Sequence, residues 1–583
     1  MNIIKEKVSQ ILKQAIYELY WVSLEEIKLE NPPKKELGDF CFGPFLLAKS
    51  TLKNPWVISW ELKNILEKNS NFLEVTIAWP YLNFKLSFEF YTELFLNDNF
   101  QILNIWNWKT IVVDYIWTNI WKAMHIWHMC PSNQWQVTCN LFRKLWYSVI
   151  WDSHLWDWWI IFWKLIYAYK TWWNENDLEN WAVDYLQSLY IKVTTEAEKD
   201  ETLDEKFRIE FKKLSLWDEE SKKLWYLFTK YSLENVQIQN DRLWVKSTYD
   251  IWESFYEWIW LEKLTNHPDL KYNMNDIIKE LLDKKIATKN EDGSVWVVFD
   301  EKTKLPSVML EKRDGTHGYL ASDLAAVKYR VDNWIPEKII YHIDLRQELH
   351  LKQVFEISKN AWWLEKTSFI YAWHWYIKLK TWAMSSRKWN IIKLEDLLDE
   401  AAERAKKILI EKNPEISIEE LTKLSEIIWI WAIKYWYLSK SRTTDIIFDW
   451  DEFMTFEWNS FPYVAYSYVR ALRVLEKSWV SIDIINSSKI NEKFSNSDQI
   501  SLYKDIWALN EILIWVSENI THHNLVLYAY NLSKSFSAFY NGVNILWDEN
   551  EEKKILNLKL IQKYIETQKI VFDVLAIKLP EKM

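Results

Sequence analysis

The sequence predicts an α/β protein in three parts: a small α/β module, a doubly wound parallel sheet with its helices, and an all-helical bundle. Three observations predict it. Short β-branched runs of the buried parallel kind recur through the middle of the chain, with long helical stretches between them. The first 95 or so residues combine an amphipathic start with an alternating strand. After about residue 393 strand signals largely vanish.

The N-terminal module, 1–95, contains the helical pattern MNIIKEKVSQILKQ, the segment Glu36-Leu37-Gly38-Asp39-Phe40, and the period-two run Tyr81 to Ser87. From about 105 to 395 the pattern is strand, turn, helix. Thr110 to Tyr115 is the first buried strand, and a helix follows from about His128. Further strands are expected at Ser148 to Ile150, Lys338 to Ile343 and Ser368 to Tyr371. The stretch from about 164 to 305 is highly charged and reads as a mostly helical insertion. Connecting helices at 396–455 lead to a bundle at 456–583, with helices at Leu394 to Lys412, Ile418 to Ser439, Phe461 to Lys477 and Leu525 to Tyr540. A polar Ser/Asn-rich linker at Ser487 to Ser501 interrupts it.

Composition narrows the classes. At 583 residues several cores can form. A net charge of -10 means that any nucleic-acid contact must come from local patches. Cys41, Cys130 and Cys139 are too few and scattered for a disulfide framework or a thiolate zinc site, which fits a reducing cytoplasm. The start lacks the apolar core of a signal peptide, and no apolar run reaches the roughly 18 to 20 residues of a membrane span.

One count is abnormal: Trp 42 against Gly 6. Ordinary glycine usage of ~7% would supply roughly 41, because turns and helix C-termini need a residue without Cβ. The tryptophans stand in pairs and in turn-like contexts, as in Asp157-Trp158-Trp159, Thr171-Trp172-Trp173-Asn174 and Asn360-Ala361-Trp362-Trp363-Leu364. The pattern predicts that most of them are UGA codons read as glycine in the source and written here as tryptophan. A truly tryptophan-rich protein is the alternative, and it leaves the lack of turn glycine unexplained.

The chemistry concentrates in two segments. Asn119-Ile120-Trp121-Lys122-Ala123-Met124-His125-Ile126-Trp127-His128 follows the first buried strand, and with glycine at 127 it becomes His-Ile-Gly-His at a helix N-terminus. Two imidazoles there can donate to phosphate oxygens, the helix dipole favours the anion, and a Cβ-free residue lets a nucleotide lie against the backbone. About 260 residues later, Ala383-Met384-Ser385-Ser386-Arg387-Lys388-Trp389-Asn390 offers hydroxyls and cations for charge developing on an α-phosphate and departing pyrophosphate. The first segment resembles the signature tetrapeptide of class I aminoacyl-tRNA synthetases. The second resembles their mobile lysine-serine loop, with Ala383 and Ser386 where its two lysines usually stand, so which cation acts stays open.

Further segments narrow the resemblance to the arginyl-tRNA synthetase family. His154 to Trp163 is similar to its His-x-Gly-Asp-Trp-Gly-x-x-Phe-Gly, which makes Trp158 a genuine tryptophan. Asp314-Gly315-Thr316 followed by Tyr319 to Asp323 resembles its Asp-Gly-Thr and Tyr-x-x-x-Asp, and Arg346 to Gln353 its Arg-Gln-x-x-His-x-x-Gln. Phe448-Asp449-Trp450 and Glu457 to Tyr466 resemble segments of its helical domain, where Arg470 and Arg473 lie three apart on one face.

The resemblance implies a Rossmann-type catalytic domain, an N-terminal module that contacts tRNA and an all-α anticodon-binding bundle. It implies ATP bound by His125, Trp127, His128, Met384 and Ser385, with Mg²⁺, and catalysis by His125, His128, Ser385, Arg387 and Lys388. Asp323 and Tyr319 would hold the guanidinium, and Asp114, Asn119 and Gln347 the rest of arginine; a planar fork of donors with no acceptor needs such partners. The implied reaction makes arginyl-adenylate and passes arginine to the 3' end of its tRNA, in a cytoplasmic monomer. Two alternatives remain at this point: an RNA-independent adenylate-forming nucleotidyltransferase, and an inactive tRNA-binding relative.

Overall fold

The computed structural model describes every residue except 1–2, 79, 98–107, 120–122, 157–159, 173–174, 216–217, 258–265, 376, 380–392, 413, 416, 449–458 and 583. The N-terminal module has helices α1 (Ile3–Tyr20), α2 (Phe45–Thr51), α3 (Pro55–Leu66) and α4 (Phe88–Asn97) around strands β1 (Phe40–Phe42), β2 (Phe72–Ala78) and β3 (Tyr81–Leu86). These strands form an antiparallel sheet in the order β1-β3-β2. The alternating run Tyr81 to Ser87 forms its central strand, with Leu82, Phe84 and Leu86 buried.

The middle of the chain contains β4 (Thr110–Asn119), α5 (Ile126–Lys144), β5 (Ser148–Trp156), α6 (Ile160–Trp172), α7 (Glu175–Ala197), α8 (Leu203–Ser215), α9 (Glu219–Arg242) and β6 (Tyr249–Trp252). It continues through α10 (Met274–Asp283), β7 (Ala287–Lys289), β8 (Val295–Val297), β9 (Val308–Glu311), α11 (Tyr319–Trp334), β10 (Lys338–Asp344), α12 (Glu348–Asn360), β11 (Ser368–His374) and β12 (Ile377–Leu379). Five strands make one all-parallel sheet in the order β11-β10-β4-β5-β6. That order is doubly wound, as the β-branched runs predict: β4, β5 and β6 step one way and β10 and β11 step the other. Ile111, Val112, Val113, Ile339 and Ile340 are fully buried, as strands covered on both faces require.

The stretch 164–305 is less uniformly helical than its charge pattern predicts. Helices α6 to α9 fill its first part, but Tyr249–Trp252 returns to the main sheet as an edge strand, and β7-β8-β9 form a separate antiparallel sheet. Strands of three or four residues are too short for a period of two to show.

The last part runs α13 (Leu394–Lys412), α14 (Ile418–Leu438), β13 (Ile446–Phe448), α15 (Phe461–Lys477), α16 (Ile482–Ser487), α17 (Ser497–Trp507), α18 (Leu509–Asn519), α19 (His522–Gly542) and α20 (Glu551–Leu575). Among the described residues one short strand lies there, β13, paired parallel with β12. The polar linker is shorter than its composition suggests, because α16 and α17 extend into it and Asn496 caps α17. Helix α5 lies between the sheet and this bundle, touching α18, α19 and α20. The N-terminal module docks on the bundle as well: Lys504 meets Asp39 at 2.6 Å, and Thr92 Oγ1 accepts from the Phe494 N–H at 2.8 Å.

Six of the thirteen non-glycine residues with positive φ among the described residues are tryptophan: Trp21, Trp108, Trp146, Trp244, Trp362 and Trp479. With 42 tryptophans in 583 residues, about one would be expected if residue type were indifferent, and a bulky side chain disfavours this region further. All but Trp108 lie just beyond a helix C-terminus. At three of them the next residue closes the reverse turn of a left-handed cap, as in Tyr147 N to Phe142 O (3.0 Å), Val245 N to Asn240 O (2.8 Å) and Trp363 N to Ser358 O (3.1 Å). All six indoles are exposed. Trp135 is the opposite case, fully buried and donating its Nε1–H to Val113 O at 3.1 Å.

Candidate active site

The parallel sheet reverses its winding between β4 and β10, so their carboxyl ends open a crevice. One rim is the start of α5. His125 has extended backbone, and its N–H donates to His128 Nδ1 at 3.0 Å. That bond leaves the His128 proton on Nε2, facing away from the backbone as a donor. The two rings lie 3.9 Å apart, at the positive end of the helix. Trp127 is half-buried against the core, its ring centroid 5.3 Å from that of His125.

The same rim receives the chain that leaves the lysine-serine-type segment. Leu394 N donates to Met124 O at 2.9 Å, and Lys393 forms an antiparallel bridge with His125. Met384, Ser385, Arg387 and Lys388 themselves lie outside the described residues, as does Trp158.

The other rim is the start of α11, which runs back along the sheet and so begins at the same edge. Its approach is a tight turn: Gly315 has φ 80, and Asp314 Oδ1 accepts from the Thr316 N–H and hydroxyl at 3.1 and 2.6 Å. Gly318 follows, where a Cβ would stand 2.8 Å from Met309 O. Tyr319 is the first helical residue and half exposed; Asp323 comes one turn later and Arg330 two turns after that, on one face. The Asp323 carboxylate meets His350 Nε2 of α12 at 2.5 Å. Burial opposes a proton on His350, but the hydrogen bond and charge of Asp323 prevail, and its pKa is raised.

Beneath this rim the floor is a buried ionic cluster. Asp114 of β4 stands in register with Asp152 of β5 and Tyr341 of β10. Arg330, 1% exposed, engages all three: Nη2 ion-pairs with Asp114 Oδ2 at 2.5 Å, Nε donates to Asp152 Oδ2 at 2.6 Å and Nη1 to the Tyr341 hydroxyl at 3.0 Å. Two carboxylates share one guanidinium. Burial, with Asp152 and Asp323 adding to it against Arg330, pushes Asp114 up to about 7.

The structure thus gathers His125 and His128 on one rim, and Tyr319 and Asp323 on the other. Gln347 lies half-buried in the turn from β10 into α12. Asp114 lies in the floor with its carboxylate engaged by Arg330, and Asn119 ends β4, its side chain outside the described residues. Three groups escaped the sequence reading. Glu253, 2% exposed and just beyond β6, accepts from the Ser322 hydroxyl at 2.6 Å, and after burial its charge is what raises the Tyr319 pKa. The others are Arg330 and Asp152; His350 was read as the histidine of the Arg346 to Gln353 motif, without a role. Arg330 carried a signal, lying seven residues after Asp323 on the same helical stripe; Glu253 and Asp152 carried none, because only the sheet order brings them near. Tyr319, Ser322 and Glu253 open onto a cleft of about 1360 Å³ that reaches Arg208 of α8 and Arg313.

The surface of the bundle has its own feature. The Arg470 guanidinium lies 4.6 Å from the Tyr466 ring centroid and 5.0 Å from that of Tyr540, both rings exposed.

Comparisons with known proteins agree in direction. Residues 91–450 match the family described as tRNA synthetases class I (R), catalytic domain. Residues 464–583 match the DALR anticodon binding domain, and residues 2–86 the arginyl tRNA synthetase N terminal domain. The chain is 32% identical over 585 residues to the arginine–tRNA ligase of Clostridium botulinum (strain Alaska E43), covering 99% of this chain and 100% of the relative. It is 32% identical over 589 residues to that of Fusobacterium nucleatum, covering 100% of both. Among solved structures, it superposes on arginyl-tRNA synthetase from Plasmodium falciparum with a TM-score of 0.77 at 22% identity over 100% of both chains. For the Thermus thermophilus arginyl-tRNA synthetase the TM-score is 0.74 at 19% identity, over 99% of this chain and 100% of that one.

Proposed function

This chain belongs to the arginyl-tRNA synthetase family and is an aminoacyl-tRNA ligase for arginine, and on that premise we propose how its residues divide the work. The α11 rim takes the guanidinium: Asp323 and Tyr319 face it, with Glu253 adding a buried carboxylate. The observation that carries this is the chemistry of the rim, where carboxylates and a phenol converge on one helix start over a floor with two carboxylates to one arginine. A guanidinium, which only donates, is the ligand such a set suits. Gln347 and Asn119 hold the head of arginine, and Asp114 acts on its ammonium through the field of the Arg330 cluster.

The α5 rim takes ATP. His128 Nε2–H and His125 face the phosphates, and the arginine carboxylate attacks the α-phosphate in line as pyrophosphate leaves. The bond to Met124 and the bridge to His125 tether Lys393 at this rim. The segment that leads into this tether carries Ser385, Arg387 and Lys388, whose hydroxyl and cations suit the charge on the leaving pyrophosphate. Mg²⁺ comes in as MgATP; among the described residues no three acidic, His or Cys side chains cluster as a metal cage. Arginine then passes to the tRNA 3' end, with the bundle, through surfaces such as Tyr466-Arg470-Tyr540, holding the anticodon side and the N-terminal module the body of the tRNA. The enzyme acts as a cytoplasmic monomer; Cys41 and Cys139 are free and buried. Full-length agreement with ligases leaves nothing to favour an RNA-independent nucleotidyltransferase or an inactive relative.

The same proposal includes the tryptophans: most are glycine in the working protein. Their support is the left-handed cap position of Trp21, Trp146, Trp244, Trp362 and Trp479 and the place of Trp127 between the two signature imidazoles. Trp135 stays tryptophan. ATP–pyrophosphate exchange with glycine at these positions, with and without arginine and tRNA, tests the whole reading. Exchange dependent on another amino acid would sink the arginine pocket, and tryptophan at 127 and 389 in peptides of the native protein would sink the recoding.

A further inference from the structure

The motif Glu36-Leu37-Gly38-Asp39-Phe40 belongs to neither rim of the crevice, and its geometry points to the far end of the chain. Gly38 has φ 137, a backbone that L side chains rarely adopt, and a Cβ there would stand 2.5 Å from Phe84 O. The close approach lets the Asp39 N–H donate to Phe84 O at 2.7 Å, and Asp39 Oδ2 accepts from the Leu86 N–H at 2.9 Å. Two bonds to β3 therefore orient the Asp39 carboxylate from within the module. Its other oxygen, Oδ1, accepts from Lys504 Nζ of α17 at 2.6 Å, across 465 residues of chain.

Lys504 is held in turn. Its ammonium lies 4.7 Å from the centroid of the buried Tyr91 ring of α4, so the cation spans the seam between module and bundle. The rest of the seam is largely aromatic: Phe95 of α4 meets both Tyr503 of α17 and Phe494 at 5.5 Å between centroids, and Tyr91 meets Tyr503 at 6.4 Å. The Thr92 to Phe494 bond and a Glu89–Lys493 pair at 2.9 Å lie along it as well. Burial of rings supplies adhesion without direction, whereas one charge-assisted bond at the edge supplies direction. With side chains 21% and 39% exposed, the Asp39–Lys504 pair adds little to stability, and its effect is on register.

We propose that Asp39 and Lys504 are positioning residues that form a latch: their bond sets the angle of the N-terminal module on the bundle, so that both grip one tRNA at once. A ligand held at two places gains from fixed spacing, because the second contact forms at an effective concentration that falls when the module swings. The latch acts on capture of the tRNA and not on the chemistry in the crevice. The inference rests on the reading that module and bundle both hold tRNA, and amide hydrogen exchange of the parent chain tests that separately. Protection is expected on binding tRNA within both 3–97 and 461–575; its absence from either removes the premise, and the proposal with it, whatever the latch variants do.

The test uses the full-length chain in preparations that charge tRNA, with initial rates of aminoacylation measured over a range of tRNA concentration. Lys504→Met keeps an unbranched stem and removes the cation; KM for tRNA is expected to rise at least fivefold while kcat stays within twofold. Asp39→Asn is expected to raise KM likewise, and the double variant to add nothing to the larger single effect, as one shared contact requires. Lys504→Arg restores KM to within twofold of the parent, which a loss of packing alone would not predict. A Lys504 that met tRNA phosphate directly would instead make Asp39→Asn bind tRNA more tightly, and that result overturns the latch. So does a KM within twofold of the parent in Lys504→Met, or a double variant whose effects multiply. If Asp39→Asn fails to fold, hydrogen exchange along α4 without tRNA takes its place: it is expected to quicken in Lys504→Met, and unchanged exchange there overturns the proposal.

Discussion

The two rims of the crevice are both helix starts at the carboxyl edge of one sheet, yet one carries imidazoles and the other carboxylates. The α11 rim is acidic and internally braced, with Asp323 held by His350 and the floor held by Arg330. The α5 rim is imidazole-bearing and half-buried, braced by a backbone bond to His128 and by the chain at Lys393 and Leu394. Under the division proposed above, the same peptide dipole serves an anion at α5 and is overridden by side-chain carboxylates at α11. A buried carboxylate outweighs the half-charge of a helix end. The rims also differ in how they are written. Gly318 keeps its close approach to Met309 O, whereas the proposed recoding puts a glycine at Trp127 on the α5 rim.

Breaking the floor should have the largest effect. Arg330→Met leaves Asp114 and Asp152 buried together without their cation, and a loss of about 3–5 kcal/mol in urea unfolding is expected. Restoring much of it with Asp114→Asn and Asp152→Asn on top would show that charge, not volume, is the cause. An unchanged midpoint in Arg330→Met would mean that the cluster does not brace the α11 rim.

Asp323→Asn touches that rim without emptying it. The kcat/KM for arginine in pyrophosphate exchange is expected to fall about 10² to 10³-fold while KM for ATP stays within about threefold, because only the cation side is altered. Equal effects on both substrates would erase the distinction between the rims. The reverse experiment acts on α5: replacing Trp127 by glycine in the chain as written is expected to raise ATP affinity at least tenfold, read by titration, with arginine binding little changed.

Acid probes the join between sheet and bundle. His342 and His522 are lowered in the folded chain, His522 to about 3, so the unfolded chain takes up protons below about 6.5 that the folded chain refuses. Their contribution is present above about pH 6.5 and is lost as pH falls towards the folded values. His522→Phe should flatten the decline in urea midpoint between pH 6.5 and 4.5; an identical slope would place the acid sensitivity elsewhere.

The smallest effects belong to the caps. Trp362→Gly and Trp479→Gly, at exposed left-handed positions, should each stabilise the chain by about 1 kcal/mol, seen as a small rise in Tm. Trp135→Gly is the control and should destabilise by several times that, about 3–5 kcal/mol, as a buried aromatic is lost. Similar signs for all three would end the division into written and genuine tryptophans.

Much of this molecule was legible in the order of its residues. Buried parallel strands announce themselves as β-branched runs, and the strands at β4, β5, β10 and β11 fall where such runs occur. The gathering of His125, His128, Tyr319 and Asp323 at two helix starts was legible in position, because a few adjacent residues specify the local backbone there. Short strands such as β6 and β13 were not, since three or four residues cannot display a period. The tertiary structure alone decided the partners: that Asp114 faces Arg330, that Glu253 reaches Ser322, and that the Thr138 hydroxyl lies between His342 and His522, 204 and 384 residues away along the chain. Local pattern follows from the geometry of neighbouring residues, whereas pairing across such distances follows from strand order and helix docking, which the packing of the whole core selects.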